Sequence, residues 1–241
     1  AFKVDVTREA DVIEEILRIY GYNNIGIPRE VKSSFSFLSG PNPDKIRNIV
    51  ADLLTSNGLF EIMNNSLTRS SYYQDNPLFP VEKCVRILNP SSRDLDVMRQ
   101  TLLYGGLESV VYNLNRKALD ILFFEIGTVY SKAKPESSDP LPGYHEEQHL
   151  ALFLTGRKAL ENWDADDGSV DIFQLKGILH ALIQRISVDT EGSEFVSTES
   201  PLYSNGFICK MHGEVLAEAG TLRKPVLNQF DIKQSVLYMD L

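Results

Sequence analysis

Apolar positions recur at helical spacing in four stretches of the chain and alternate with polar ones in several others. Val12, Ile13, Ile16, Leu17 and Ile19 predict a first helix, with Thr7 as N-cap, Glu9 in its first turn and Gly21 as a left-handed C-cap after Tyr20. Ile46, Ile49, Val50, Leu53 and Leu54 predict a second helix, capped by Asn42, with Pro43 at its first position and Asn57-Gly58 at its end. A third covers about Met98 to Asn115, where Gly105-Gly106 marks a bend or close packing. A fourth, capped by Asp171, buries Leu175, Ile178, Leu179, Leu182, Ile183 and Ile186. Strands are expected at Phe2–Val6, Leu59–Leu67, Cys84–Leu88, Ile121–Tyr130, Leu150–Leu154, Phe207–Met211, Val215–Ala219 and Val236–Asp240. His212-Gly213-Glu214 reads as a hairpin turn and Ser131–Tyr144 as a loop. Helices interspersed with hairpin-linked strands, without a βαβ rhythm, predict an α+β fold on an antiparallel sheet.

The pattern also divides the chain. Residues 1–27 read as the end of a preceding small domain, 28–43 as a linker rich in Ser, Gly and Pro, and 44–241 as one larger module. A helix placed almost at the first residue leads us to expect that the sequence begins inside a larger protein.

Composition narrows the options. The 241 residues are 43% hydrophobic and 24% charged, ordinary for a globular chain, and hold no apolar run long enough for a membrane span. A net charge of −9 with no dense basic block argues against a main RNA grip in this segment. Cys84 and Cys209 have neither zinc-site nor disulfide-framework spacing, so a reducing, cytoplasmic setting is the default.

Two groups of residues carry candidate chemistry. Asp11, Glu14 and Glu15 fall three and four apart on the first helix, and Asp5 approaches from the strand before it. Composition alone reads these four carboxylates as a solvated acidic face; the alternative is a hard-oxygen site for Mg²⁺. His145-Glu146-Glu147-Gln148-His149 matches the H-E-x-x-H zinc-protease pattern, which needs both histidines on one helix face. Its neighbours contradict that context. Pro140, Pro142 and Gly143 precede it and a strand-like Leu-Ala-Leu-Phe-Leu follows, so it reads as the polar lip of a strand. No phosphate-binding glycine loop and no G-x-S-x-G elbow is present.

The run D-V-T-R-E-A-D-V-I-E-E-I-L-R-I-Y-G-Y from Asp5 resembles the β-subunit family of bacterial phenylalanyl-tRNA synthetases. So do further blocks in the same order: K-I-R-N-I-V-A-D-L-L-T-S-N-G-L-F-E-I-M-N-N-S-L at 45–67, N-P-S-S-R-D-L-D-V-M-R-Q-T-L-L-Y-G-G-L at 89–107, Y-N-L-N-R at 112–116, F-F-E-I-G-T-V-Y at 123–130, D-I-F-Q-L-K-G at 171–177 and a closing G-E-V-L-A-E-A-G…F-D-I-K. The resemblance implies a class II synthetase-like antiparallel sheet flanked by helices. The 45–67 block is similar to motif 1, the dimerisation element of that class, and 123–130 to the outer part of motif 2. Where motif 2 continues to an ATP-gripping Arg, this chain has Ser131, and motif 3 is missing.

A module without either arginine is expected to be catalytically silent and to scaffold a catalytic α subunit. The family enzyme is an α₂β₂ ligase joining phenylalanine to its tRNA. ATP would be held only by the partner subunit, and tRNA would be bound through the whole complex. By the same resemblance Asp5, Asp11, Glu14 and Glu15 would bind structural Mg²⁺ shared with the α subunit. The family's editing domain would precede this segment and its anticodon-binding domain follow it. Two other readings remain: a free-standing adaptor with a synthetase-like fold, and a zinc hydrolase built on His145 and His149.

Overall fold

The computed structural model describes residues 6–27, 30, 40–132, 143–158, 163, 168–186 and 192–241. The chain forms two compact units, Ala1–Gly40 and Pro41–Leu241. In the first, helix α1 spans Glu9–Tyr20. Its N-cap is Arg8 and not the expected Thr7. The reason is local: Asp11 Oδ2 accepts from the amides of both Thr7 (2.9 Å) and Arg8 (2.8 Å), so a carboxylate inside the first turn does the capping. Gly21 has the positive φ expected of it (93°) but a ψ of 120°, outside the left-handed helical region, and its amide bonds to Leu17 O at 2.7 Å. The strand expected at Phe2–Val6 lies, except for Val6, outside the described residues.

The second unit opens as its sequence predicts. Helix α2 spans Pro43–Ser56, and Asn42 Oδ1 accepts from the amides of Asp44 and Lys45. Pro43 costs nothing at that position because its missing N–H would have no helical partner. Two short strands follow, β1 (Phe60–Glu61) and β2 (Leu67–Thr68), in place of the single strand expected over Leu59–Leu67. No strand forms over Cys84–Leu88: Val81–Lys83 is a 3₁₀ turn and only Arg86 bridges to Val97. Strand β3 (Val97–Met98) pairs with β2, and this delays helix α3 to Leu103–Leu114, later than the expected start at Met98.

Strands β4 (Ile121–Lys132) and β5 (Tyr144–Thr155) pair along all twelve residues of each. They absorb both ends of the expected loop, whose middle, 133–142, lies outside the described residues. Helix α4 (Ile172–Arg185) is capped by Asp171, which accepts from Gln174 N at 3.0 Å. Strands β6 (Ser193–Thr198), β7 (Tyr203–Met211) and β8 (Glu214–Leu222), the short helix α5 (Lys224–Asn228) and strand β9 (Val236–Asp240) complete the unit. Between β7 and β8 the turn residues His212 (φ 50°) and Gly213 (φ 88°) both have positive φ, as a two-residue hairpin compatible with strand twist requires.

Among the described residues the main sheet has seven strands in the order β1-β4-β5-β9-β8-β7-β6, antiparallel except for the β1–β4 edge. Its pleat sorts the side chains. On one face Phe124, Leu150, Leu152, Leu154, Leu237 and Met239 pack under Leu54 of α2 and Leu175, Leu179, Leu182 and Ile183 of α4. On the other, Ala151, Phe153 and Tyr238 pack under Leu103, Tyr104, Leu107 and Val110 of α3. Each fully buried Leu or Phe contributes about 1.5–3 kcal/mol, so these two layers dominate the unit's stability. Gly105-Gly106 is a close-packing device: a Cβ on Gly106 would stand 2.0 Å from the Phe153 ring.

Candidate functional site

Helix α1 carries three of the four expected metal ligands. Asp11 caps through its Oδ2, and its Oδ1 makes no hydrogen bond among the described residues. Glu14 and Glu15 both face Arg18, at 3.5 and 3.1 Å, so a guanidinium already stands where clustered carboxylates call for a cation. Asp5, the fourth, lies outside the described residues, and among the described residues no three His, Cys, Asp or Glu side chains converge as a metal site. The donor set is nonetheless all hard oxygen, the chemistry that suits Mg²⁺.

The α3-facing side of the sheet holds the buried charges. Arg99 and Glu125 are both nearly inaccessible, and Arg99 Nη1 meets Glu125 Oε1 at 2.6 Å. Arg99 Nε also donates to Thr128 O, and its Nη1 to Asn64 O. The Asn64 amide nitrogens, backbone and side chain, donate to the two Glu125 oxygens, and Ser109 Oγ donates to Asn64 Oδ1. Each charge is therefore paired and hydrogen-bonded, which is what makes its burial tolerable. Gly127 makes room: a Cβ there would lie 2.3 Å from Arg99 Nη2. Among the described residues the charges around Arg99 are spent on one another. Ser131 lies near the end of β4 and brings no cation.

His149 sits beside Gly127 on β5, its Nδ1 2.7 Å from Asp240 Oδ1 and its Nε2 3.6 Å from Glu147. The hydrogen bond to Asp240 is the main reason its pKa rises above the usual value, against the opposing effect of burial. His145 approaches Glu147 from the other side at 3.5 Å. The whole H-E-E-Q-H stretch is strand. Residues four apart on a strand are separated by about 13 Å along it, whereas the zinc-protease motif needs helical neighbours, so the hydrolase reading of His145 and His149 is overturned.

Beside α2, Pro43, Ile46, Val50, Ile126, Leu150 and Ile186 line an apolar groove of about 310 Å³. Phe60 and Met63, in and just after edge strand β1, are 69% and 91% exposed, a concentration of apolar surface at the elements resembling motif 1. Sequence reasoning missed the Arg99–Glu125 network. The signal available was a charged residue in each of two otherwise informative blocks, with nothing to say that they meet.

Residues 31–241 match the family model described as the phenylalanyl tRNA synthetase beta chain CLM domain. The chain belongs to the phenylalanyl-tRNA synthetase β-chain family. It is 40% identical over 246 aligned residues to the phenylalanine–tRNA ligase beta subunit of Bacteroides fragilis, and 34% over 244 to that of Porphyromonas gingivalis. All of this chain is covered in both alignments, but only 30% of each relative, so the chain spans about a third of the length of these synthetase subunits. A pyrrolysyl-tRNA synthetase structure from Desulfitobacterium hafniense superposes with a TM-score of 0.61 at 17% identity, covering 83% of this chain and 66% of the other. At that identity the likeness shows the class II synthetase fold alone.

Proposed function

We propose that this segment is a non-catalytic module of the β subunit of a phenylalanine–tRNA ligase, and that it scaffolds the catalytic α subunit in an α₂β₂ assembly. The observation that carries the silence is the pairing of charges on the sheet face: Arg99 is neutralised by Glu125, His149 by Asp240, and Ser131 stands where an ATP-gripping arginine is needed. With Arg99 tied to Glu125 and a serine at position 131, neither position offers the bidentate phosphate contacts that activation of an amino acid requires. ATP is then held by the partner subunit, and tRNA is bound through the whole complex.

The apolar surface of α2 and β1 supports a subunit contact at this edge. Residues 1–27 act as the end of a preceding small domain, 28–43 as the link and 44–241 as the module. Asp5, Asp11, Glu14 and Glu15 form a structural Mg²⁺ site near the partner, where the ion would neutralise mutually repelling carboxylates; Asp11 Oδ1 is unbonded among the described residues, and Arg18 would release Glu14 and Glu15. The assembly works in the cytoplasm.

Phenylalanine-dependent exchange of pyrophosphate into ATP tests the silence. The chain alone should give none, and the small subunit joined to its full β partner should give exchange that survives Arg99→Met with Glu125→Leu in β. Exchange by the isolated chain would overturn the reading.

A further inference from the structure

A small cavity lies on the α3 side of the sheet. It is a half-open space of about 180 Å³ between Tyr72, residues 74–79, Tyr104 of α3, residues 201–202, Val226 and Gln229. That is slightly larger than the roughly 150 Å³ apolar cavity that holds a benzene ring. Its walls are mixed: Leu78, Phe79, Leu202 and Val226 are apolar, Gln74, Asn76 and Gln229 polar, and Tyr72 stacks on Tyr104 at 4.8 Å between ring centres.

The decisive group is the Tyr104 hydroxyl. Tyr104 is 4% exposed, and its oxygen accepts a hydrogen bond from Asn76 Nδ2 at 2.6 Å. The reverse assignment is closed, because Asn76 Oδ1 is already accepting from the amides of Leu78 (3.0 Å) and Phe79 (3.2 Å). Tyr104 must therefore donate its own proton elsewhere, and among the described residues it has no acceptor. Burial pushes its pKa up to about 12, so the proton stays on. A buried O–H without an acceptor costs free energy unless something in the cavity takes the bond.

The rim sets the charge. Asp75 lines the cavity, is held at φ 55°, and makes no ion pair or hydrogen bond among the described residues. Among the described residues no Lys, Arg or His lines the cavity. Anionic groups are thus disfavoured inside it, and a donor on the ligand is favoured.

We propose that this cavity binds a flat, amino-substituted heteroaromatic ring of the nucleobase type, with a ring nitrogen accepting from Tyr104 O–H and an exocyclic amine facing Asp75. A free nucleoside and an unstacked base of an RNA strand share this chemistry. The site is separate from the pairing of charges around Arg99 and does not depend on the proposed silence of the module.

The test is titration of the complete chain with adenosine, with benzoate as the anionic single-ring comparison, followed by ligand-observed NMR. Adenosine should bind and benzoate should not. Tyr104→Phe keeps the packed ring and should weaken adenosine about five- to tenfold, and Asp75→Asn, on the rim, should weaken it by a similar factor. Oligoadenylate binding more tightly than adenosine, with the same losses, would identify RNA as the source; equal affinities would identify the free nucleoside. Adenosine binding no better than benzoate, or binding that neither substitution changes, would overturn the proposal.

Discussion

Arg99 and Glu125 lie 26 positions apart in the chain and meet at 2.6 Å in the sheet, each almost wholly removed from water. Such a pair stabilises little relative to well-packed apolar residues, but breaking it strands a charge. Arg99→Met alone should therefore cost about 3–5 kcal/mol, as should Glu125→Leu, while the double substitution should recover most of the loss. Urea unfolding of the four proteins checks this. Additive losses would show that the two side chains are not coupled.

Gly106 is predicted to be intolerant of even one methyl group. With the Phe153 ring 2.0 Å from where a Cβ would sit, Gly106→Ala should destabilise by about 1–3 kcal/mol despite alanine's better helix propensity. Adding Phe153→Leu should return part of that loss. A stabilised Gly106→Ala protein, read by thermal melting, would show that α3 has room to move off the sheet.

The His149–Asp240 contact makes a pH-dependent contribution of known sign. Because the folded pKa of His149 is raised above its unfolded value of about 6.5, the extra stability is fully present below pH 6.5 and is lost as pH rises through the folded value. Asp240→Asn should lower the His149 pKa in an NMR titration, and the stability gap between the two proteins should narrow with rising pH. A gap that widens instead would reverse the assignment.

Asn42 caps α2 with a single carbonyl oxygen shared by two amides. Asn42→Ala should cost about 1 kcal/mol, and Asn42→Asp much less, in denaturant midpoints. Equal losses for both would mean that the cap geometry contributes nothing.

Local signals were legible from the chain alone, and non-local ones were not. Asn42-Pro43, Asp171 and the strand Val236–Asp240 stand where their patterns predict, since a cap or an alternating run needs only its neighbours. Thr7 was passed over because Asp11, one turn on, reaches both amides first. The strand expected at Cys84–Leu88 is reduced to a single bridge from Arg86 to Val97, with Ile87 N donating to Asp96 O and Met98 N to Val85 O beside it, and the strand at Val97–Met98 took the first residues from α3. Strand β6 and helix α5 escaped notice: S-E-F-V-S-T alternates weakly, and K-P-V-L-N is too short for periodicity. Of the proposed metal ligands, the three on one helix turn could be grouped by spacing. The Arg99 network is a product of tertiary pairing, and no spacing rule reaches across it.

Association with the small subunit tests the scaffold role most directly. Light scattering of the chain mixed with the small subunit of a phenylalanine–tRNA ligase, with and without Mg²⁺, should show a stable mixed species that Ile46→Glu disrupts and that weakens when Mg²⁺ is removed. Separate peaks under every condition, repeated with the full-length β subunit, would contradict it.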